Sequence, residues 1–268
     1  MRERVTITIK GDILKQVDRI VDGLNIRSRS QAIEYLLSKT LSDYKIKNSL
    51  VLAGGKDELK GLGTKSKFLL EINNEYLIEK VIKYLEEFNA GKITVSVDQN
   101  KEKIINALSK KRISADFLEL EKPSGTIEPL IRMKNQFKDT FVLVHGDTLS
   151  SLNLNEMLAF HQSNKSIATI ALTTVNNPKD YGVAMLQGKK INEFIEKPKK
   201  QAESYLINAG YYIFEPEVFR HVSRSMKSIE KDLFPKLAEK GLLSGYPFQG
   251  IYFNINTKKD YEKAKRIL

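Results

Sequence analysis

Strict alternation opens the chain. Across Arg4 to Lys10, Val5, Ile7 and Ile9 share one face while Arg4, Thr6, Thr8 and Lys10 share the other, the period-two pattern of a strand. Gly11 and Asp12 end this run and open a helix along which Ile13, Val17, Ile20, Val21 and Leu24 recur at helical spacing. The stretch NIRSRS follows, with Ser28 or Ser30 as the N-cap of a second helix whose apolar face is Ile33, Leu36, Leu37 and Leu41. One strand and two short helices bury too little surface for an independent core, and a lone strand leaves its backbone groups unpaired. The segment therefore calls for a second copy of itself.

From Ser49 onward apolar strands alternate with amphipathic helices: SLVLA, YLIEKVIKYLEEF, KITVSV, a helix around Lys103 to Leu108, then TFVLV. In the first of those helices Leu77, Val81, Tyr84, Leu85 and Phe88 fall on one face. Repeated βαβ units predict an α/β domain with a mixed, mostly parallel sheet covered on both faces, and ligands outside the carboxyl ends of its strands. The pattern divides the chain into residues 1–46 and 47–268, joined by the short polar stretch SDYKIKN.

Composition narrows the chemistry. With 268 residues and 41% hydrophobic content the chain can bury a substantial core, and the absence of cysteine excludes disulfides, thiolate metal sites and a cysteine nucleophile. No run of about 18 apolar residues and no charged-then-apolar leader is present, so a soluble, cytoplasmic protein without a membrane partner is expected. The formal charge of +11 favours anionic partners. Residues 1–46 hold nine Lys or Arg against six Asp or Glu, so the excess lies mostly on the larger domain and argues no more for DNA than for phosphates.

Candidate chemistry sits just past the strands. Gly54 and Gly55 follow SLVLA, where missing Cβ atoms allow close approach of a phosphate or base. Lys67 stands thirteen residues after Gly54, in SKFLLEI. His145-Gly146-Asp147 follows TFVLV, and a carboxylate at a strand end beside a glycine is a natural magnesium ligand. His145, His161 and His221 show no metal-ligand spacing, and His145 reads as structural.

Residues 3 to 42 resemble the ribbon-helix-helix family. That resemblance implies a homodimer or higher even oligomer in which two strands pair into a ribbon. It would put Arg4, Thr6 and Thr8 on base edges of double-stranded DNA, with Lys10 nearby and the helix start near Ser28 to Ser30 against a backbone phosphate.

The larger domain resembles the sugar-1-phosphate nucleotidyltransferases, which have a Rossmann-like three-layer fold. The matches run in family order across some 220 residues: the Leu52-Ala53-Gly54-Gly55 loop, Lys67, Pro123-Ser124-Gly125-Thr126, Gly146-Asp147, Tyr181-Gly182-Val183, Glu196-Lys197-Pro198, Asn208-Ala209-Gly210, then SIEKDLFPKL and INTKKDYEKAK. The resemblance implies a reaction in which a sugar-1-phosphate attacks the α-phosphate of a nucleoside triphosphate, giving a nucleotide sugar and pyrophosphate. Leu52, Ala53, Gly54, Gly55, Lys67, Gly125 and Thr126 would bind the nucleotide; Tyr181, Gly182, Glu196, Lys197 and Asn208 would bind the sugar phosphate; Asp147 would hold Mg²⁺.

Two departures stand out. The glycine loop continues Lys56-Asp57-Glu58-Leu59-Lys60, so Leu59 occupies the place of the family's triphosphate-gripping Arg, and Lys60 is the candidate substitute. In YFNINTKKDY, Asn254 and Asn256 are the candidates for the position of a second metal-binding Asp. These departures motivate an alternative reading, a DNA-binding transcriptional regulator whose degenerate transferase domain senses a nucleotide or nucleotide sugar. No long tail follows Leu268, so no C-terminal β-helix with a second activity is expected.

Overall fold

The computed structural model describes residues 5–23, 26–43, 46–55, 57, 59, 66–123, 125–200 and 203–268. Arg4, Leu24, Lys56, Glu58, Lys60 and Ser124, together with the Leu41 side chain, lie outside the described residues. The chain forms two compact units, Met1–Lys45 and Ile46–Leu268.

In the first unit, helices α1 (Gly11–Asp18) and α2 (Arg29–Asp43) are joined by a turn in which the Ile26 amide donates to the Asp22 carboxylate at 2.9 Å. Ser28 is the cap of α2: its hydroxyl accepts the Gln31 amide at 3.2 Å. The Arg29 guanidinium grips Asp18 with two bonds of 2.6 and 2.9 Å, and this pairing holds the Asp18 carboxyl below its ordinary range. Val17 and Ala32 are buried between the helices, but Val5 is 75% exposed and Leu37 55% exposed. Two expectations change here. Helix α1 stops at Asp18, before Ile20 and Val21, and residues 5–10 carry no β-ladder. A ladder needs a neighbouring strand, and the described residues of one chain supply none to this segment.

The second unit is built on a nine-stranded sheet. Strand β1 (Asn48–Ala53) is followed by a small hairpin of β2 (Glu71–Ile72) and β3 (Glu75–Tyr76), then α3 (Leu77–Glu87), β4 (Lys92–Val97), α4 (Lys101–Lys110), β5 (Asp116–Glu119), α5 (Ile127–Met133) and β6 (Phe141–His145). The second half comprises β7 (Thr148–Ser150), α6 (Leu154–Asn164), β8 (Ala168–Thr174), β9 (Gly182–Gln187), β10 (Lys190–Glu196), β11 (Leu206–Phe214), α7 (Phe234–Glu239), β12 (Leu243–Pro247), β13 (Tyr252–Asn254) and α8 (Lys258–Ile267). The order across the main sheet is β5-β4-β1-β6-β11-β8-β12-β10-β9.

The sheet is mixed, and parallel pairing is less general than the sequence pattern suggests. Strands β5, β4, β1 and β6 pair in parallel because each is reached through a helical crossover. Beyond β6, β11 runs antiparallel to both its neighbours and β9 and β10 form a hairpin, so β8 with β12 is the one parallel pair in that half.

Alternate residues of the central strands enter opposite cores. Val51 and Ala53 of β1, Val142 and Val144 of β6, and Tyr211 and Ile213 of β11 face one layer, which α3 covers with Leu77, Val81 and Leu85. Leu50 and Leu52, Phe141 and Leu143, and Tyr212 and Phe214 face the other, covered by α5 and α7. Two-sided burial makes these strands continuous apolar runs and fixes their register, so the residues just past their ends are held on a rigid edge.

Phe141 anchors the second layer, stacked on Phe137 at 4.2 Å between ring centroids and on Phe219 at 5.8 Å. Phe141→Ala is expected to lower unfolding free energy by ~3–5 kcal/mol, read as a lower urea midpoint with an unchanged slope.

Candidate active site

Three strand ends converge on the site. Gly54 and Gly55 follow β1, Asp98 follows β4, and Asp147 follows β6 across one residue. Gly146 must be small, since a Cβ there would lie 2.9 Å from the Leu52 carbonyl oxygen. Its amide donates to that same carbonyl at 2.9 Å, fixing where Asp147 leaves the sheet.

The centre of the site is a buried ion pair. Lys67 begins a short turn, Lys67–Leu69, and its ammonium donates to Asp147 Oδ2 and, at 3.2 Å, to Asn256 Oδ1. Only 8% of the Lys67 side chain and 13% of the Asp147 side chain reach solvent. Burial pushes the Asp147 carboxyl up, but Lys67 and His145 outweigh it and the carboxyl stays below its ordinary range. Asn256 also donates to Asn254 Oδ1 at 2.7 Å, so both candidate asparagines join the cluster.

In the glycine loop Asp57 is buried, with Oδ1 accepting the Ser66 hydroxyl at 2.6 Å and the Lys67 amide at 2.8 Å. The Asn100 side chain donates to its other oxygen at 2.5 Å. Asp57 thus fastens the end of the loop to the backbone of Lys67. Leu59, the residue in the Arg position, is buried in the core at 4% exposure. Asp98, which the sequence reading missed, accepts the Gly55 amide at 2.7 Å and the Gln99 amide at 2.6 Å. The rule that located Asp147, a carboxylate directly after an apolar strand, also points to Asp98.

Around this centre lie three connected types of lining. A cleft of about 690 Å³ is bordered by Gly54, Leu59, Lys67, Tyr181, Lys197 and Asn256. A smaller cavity of about 210 Å³ is bordered by His145, Asp147, Tyr181, Gly182, Glu196, Lys197, Asn208, Glu230, Asn254 and Asn256. The two share Tyr181, Lys197 and both asparagines, so they flank the same wall. A niche of about 80 Å³ between Leu52, Gly54, Gly55, Asp98, Gly125 and Thr126 lies beside the glycine loop. Of the described residues expected to contact nucleotide, sugar phosphate or metal, all line these spaces except Ala53, whose side chain enters the core.

Lys197 adopts a left-handed backbone, φ +52°, and its amide donates to the Tyr181 carbonyl at 3.0 Å. A non-glycine residue in that region is a strained position held by its surroundings. Gly182 sits against Glu196, where a Cβ would meet Oε2 at 2.7 Å and the Phe194 ring at 2.4 Å. Burial, helped by the Glu230 charge, raises the Glu196 carboxyl above its ordinary value.

His145 and Glu230 form a second polar cluster under the smaller cavity, and sequence reasoning gave Glu230 no role. His145 Nε2 lies 3.1 Å from Glu230 Oε1, and Tyr212 donates to that oxygen at 3.3 Å. A further cavity of about 340 Å³ beside α3 is lined by Tyr84, Leu149, Tyr211 and Ile251, and its Lys80 and Lys83 are already paired with Glu75. It offers less to a phosphate than the cleft around Lys67. In the first unit, Thr6, Thr8 and Lys10 are exposed.

Burial alone would raise the Glu230 carboxyl, but the His145 bond and charge and the Ser228 hydroxyl bring it down to about 2 from 4.5. A depressed folded-state value means its contribution to stability is complete above pH 4.5 and is lost as the pH falls toward 2. Glu230→Gln should therefore flatten the acid limb of a circular-dichroism stability profile between those values, and an unaltered limb would contradict the assignment.

Known proteins place this geometry in context. The family model described as nucleotidyl transferase matches residues 48–267. The catalytic subunit beta of mannose-1-phosphate guanylyltransferase from Danio rerio is 36% identical over 146 residues, covering 53% of this chain and 40% of that protein. Mannose-1-phosphate guanylyltransferase 1 of Arabidopsis thaliana is 29% identical over 209 residues, covering 74% of this chain and 58% of its own. The chain spans about three-fifths or less of the length of the curated relatives it matches. Among solved structures, HddC from Yersinia pseudotuberculosis complexed with GMP-PN superimposes with a TM-score of 0.70 at 23% identity, covering 82% of this chain and 98% of that one, which establishes the fold. With a family match running from β1 through α8 and the strand-end loops gathered as that fold requires, the chain belongs to the nucleotidyl transferase family.

Proposed function

We propose that residues 48–268 transfer a nucleotidyl group from a nucleoside triphosphate to a sugar-1-phosphate. The observation that carries this reading is the buried Lys67–Asp147 pair on the wall between a cleft large enough for a nucleotide and a cavity lined by carboxylate, amide and lysine groups suited to a sugar phosphate. An oxygen of the sugar-1-phosphate attacks the α-phosphorus, the bond from that phosphorus to the bridging oxygen breaks, and pyrophosphate leaves. The attacking oxygen is already anionic, so no general base is required, and positioning and charge neutralisation do most of the work.

In this reading the amides of Gly54 and Gly55 lie along the nucleotide, with Asp98 holding the Gly55 amide and Gly125 and Thr126 closing the base niche. Lys67 and Lys197 are the cations lining the cleft among the described residues, and they meet the phosphates of the two substrates. Glu196 and Asn208 accept and donate to sugar hydroxyls.

The residues also fit Mg²⁺. Asp147, Asn254 and Asn256 each present a hard side-chain oxygen, and the Thr148 hydroxyl lies 3.4 Å from Asp147 Oδ1. When bound there, the ion would neutralise charge developing on the phosphate oxygens. The names of the curated relatives make GTP and mannose-1-phosphate the first pair to assay.

The test is pyrophosphate release across triphosphates and sugar-1-phosphates in the presence of Mg²⁺. Asp147→Ala should reduce turnover by about 10²–10³-fold, as removal of a preorganised electrostatic group does. Unchanged turnover would sink the role given to Asp147.

For the first unit we infer self-association through residues 5–10, supported by the exposed apolar side chains of Val5, Ile7, Ile13 and Leu37 and by a segment that carries no β-ladder among the described residues. Sedimentation equilibrium should give a dimer or larger even species for the full chain. Ile7→Glu should shift it toward monomer, and a monomeric parent protein would overturn the inference.

A further inference from the structure

The carboxylate of Glu230 receives hydrogen bonds from three separate parts of the site. Its Oε2 accepts the Thr126 hydroxyl at 2.8 Å and the Ser228 hydroxyl at 2.7 Å. Its Oε1 faces His145 Nε2 at 3.1 Å and accepts the Tyr212 hydroxyl at 3.3 Å. The Tyr212 oxygen in turn accepts the Asn208 side-chain amide at 2.7 Å, while Asn208 Oδ1 accepts the Gly210 amide at 2.9 Å. Thr126 belongs to the niche beside the glycine loop, His145 stands two residues before Asp147, and Asn208 lines the smaller cavity.

The backbone reinforces the join. The Thr126 oxygen accepts the Ile229 amide at 2.8 Å, and Gly125 lies so close to Lys227 that a Cβ would sit 2.1 Å from its carbonyl oxygen. Ser228 caps the turn Ile229–Leu233 by accepting the Lys231 amide, and the Asp232 carboxylate accepts the Lys227 and Ser228 amides at 2.8 and 2.9 Å. The segment carrying Glu230 is thereby rigid. Its acid cannot swing away to satisfy one partner at the expense of the others.

We propose that Glu230 is a positioning residue that sets the nucleobase niche, the Asp147 arm and the sugar-side Asn208 in mutual register. The proposal rests on the nucleotidyl-transfer reading of the site for its kinetic consequences, and on geometry alone for its structural ones. An amide in place of the carboxylate keeps one acceptor oxygen where there were two, so the Thr126 and Ser228 hydroxyls on one side and the Tyr212 hydroxyl and His145 ring on the other compete for it, and both halves of the site loosen. Severing one arm disturbs fewer parts: Thr126→Val acts on the nucleotide side, and Tyr212→Phe on the sugar side together with His145, whose Nε2 lies 3.1 Å from the Tyr212 hydroxyl.

Two measurements separate this proposal from the functional reading beneath it. Hydrogen exchange on the ligand-free protein requires no activity: Glu230→Gln should accelerate exchange in peptides covering 125–131 and 206–212 together. Faster exchange confined to 227–233 would overturn the proposal. Steady-state kinetics with GTP and mannose-1-phosphate, or the best pair found by assay, gives the second readout. Thr126→Val should raise the nucleotide KM and Tyr212→Phe the sugar-phosphate KM, each by about threefold to tenfold, whereas Glu230→Gln raises both and lowers kcat. Glu230→Gln with Tyr212→Phe should match Glu230→Gln alone within about twofold, the signature of residues acting as one unit. Multiplying effects, or both single-arm variants raising both KM values equally, would refute the shared hub. If Glu230→Gln fails to fold, the Thr126→Val and Tyr212→Phe split still decides the matter.

Discussion

A lysine and an aspartate removed from water need each other, and the rest of this site is arranged around that need. Lys67 and Asp147 are eighty positions apart in sequence and both nearly buried, so neither is tolerable there alone. Desolvation of each costs several kcal/mol, and the pair offsets this only while its geometry holds. The fold supplies that geometry from two directions. Strand β6 delivers Asp147 from a sheet packed on both faces, and Asp57 fixes Lys67 through its amide and through Ser66. Anionic phosphates entering the cleft would meet a cation already oriented, without reorganisation at the moment of reaction.

The same logic explains why so many of the polar groups near the site bond to protein. Asp98 takes the Gly55 amide, Asp57 the Lys67 amide, and Glu230 the hydroxyls of Thr126, Ser228 and Tyr212. Each is a carboxylate whose work is to hold another group still. Loops that carry ligand contacts are ordinarily the mobile part of an α/β domain, and these buried acids tie them to the strand ends.

How far this could be read from sequence depended on distance along the chain. Lys67 and Asp147 were legible because each stands beside a local signature, an apolar LLEI run and a strand-then-Gly-Asp junction. Asp57 was visible, but its direction was not: only the fold brings it to Ser66 and Asn100. Leu59 read as the loss of an Arg, whereas burial shows what the leucine gains in exchange. Glu230 bonds to partners 104 and 85 positions away, and its one local signal is an acid set between Ile229 and Leu233, both fully buried. The parallel half of the sheet followed from βαβ spacing. The mixed half did not, because its strands return through hairpins and reversals that period-two patterning does not orient. The strand foreseen at residues 5–10 has no partner among the described residues, and a ladder is a property of two strands.

In the proposed reaction Lys67 acts as a cation paired with Asp147, and the nucleotidyl group passes directly from triphosphate to sugar phosphate. A lysine amine acting as a nucleophile would instead carry the nucleotidyl group covalently and pass it on in a second displacement. The stereochemical course at phosphorus separates the two. With a triphosphate bearing sulfur at a defined non-bridging position of the α-phosphate, a single in-line displacement predicts inversion in the nucleotide sugar formed. Retention at that phosphorus would contradict direct transfer.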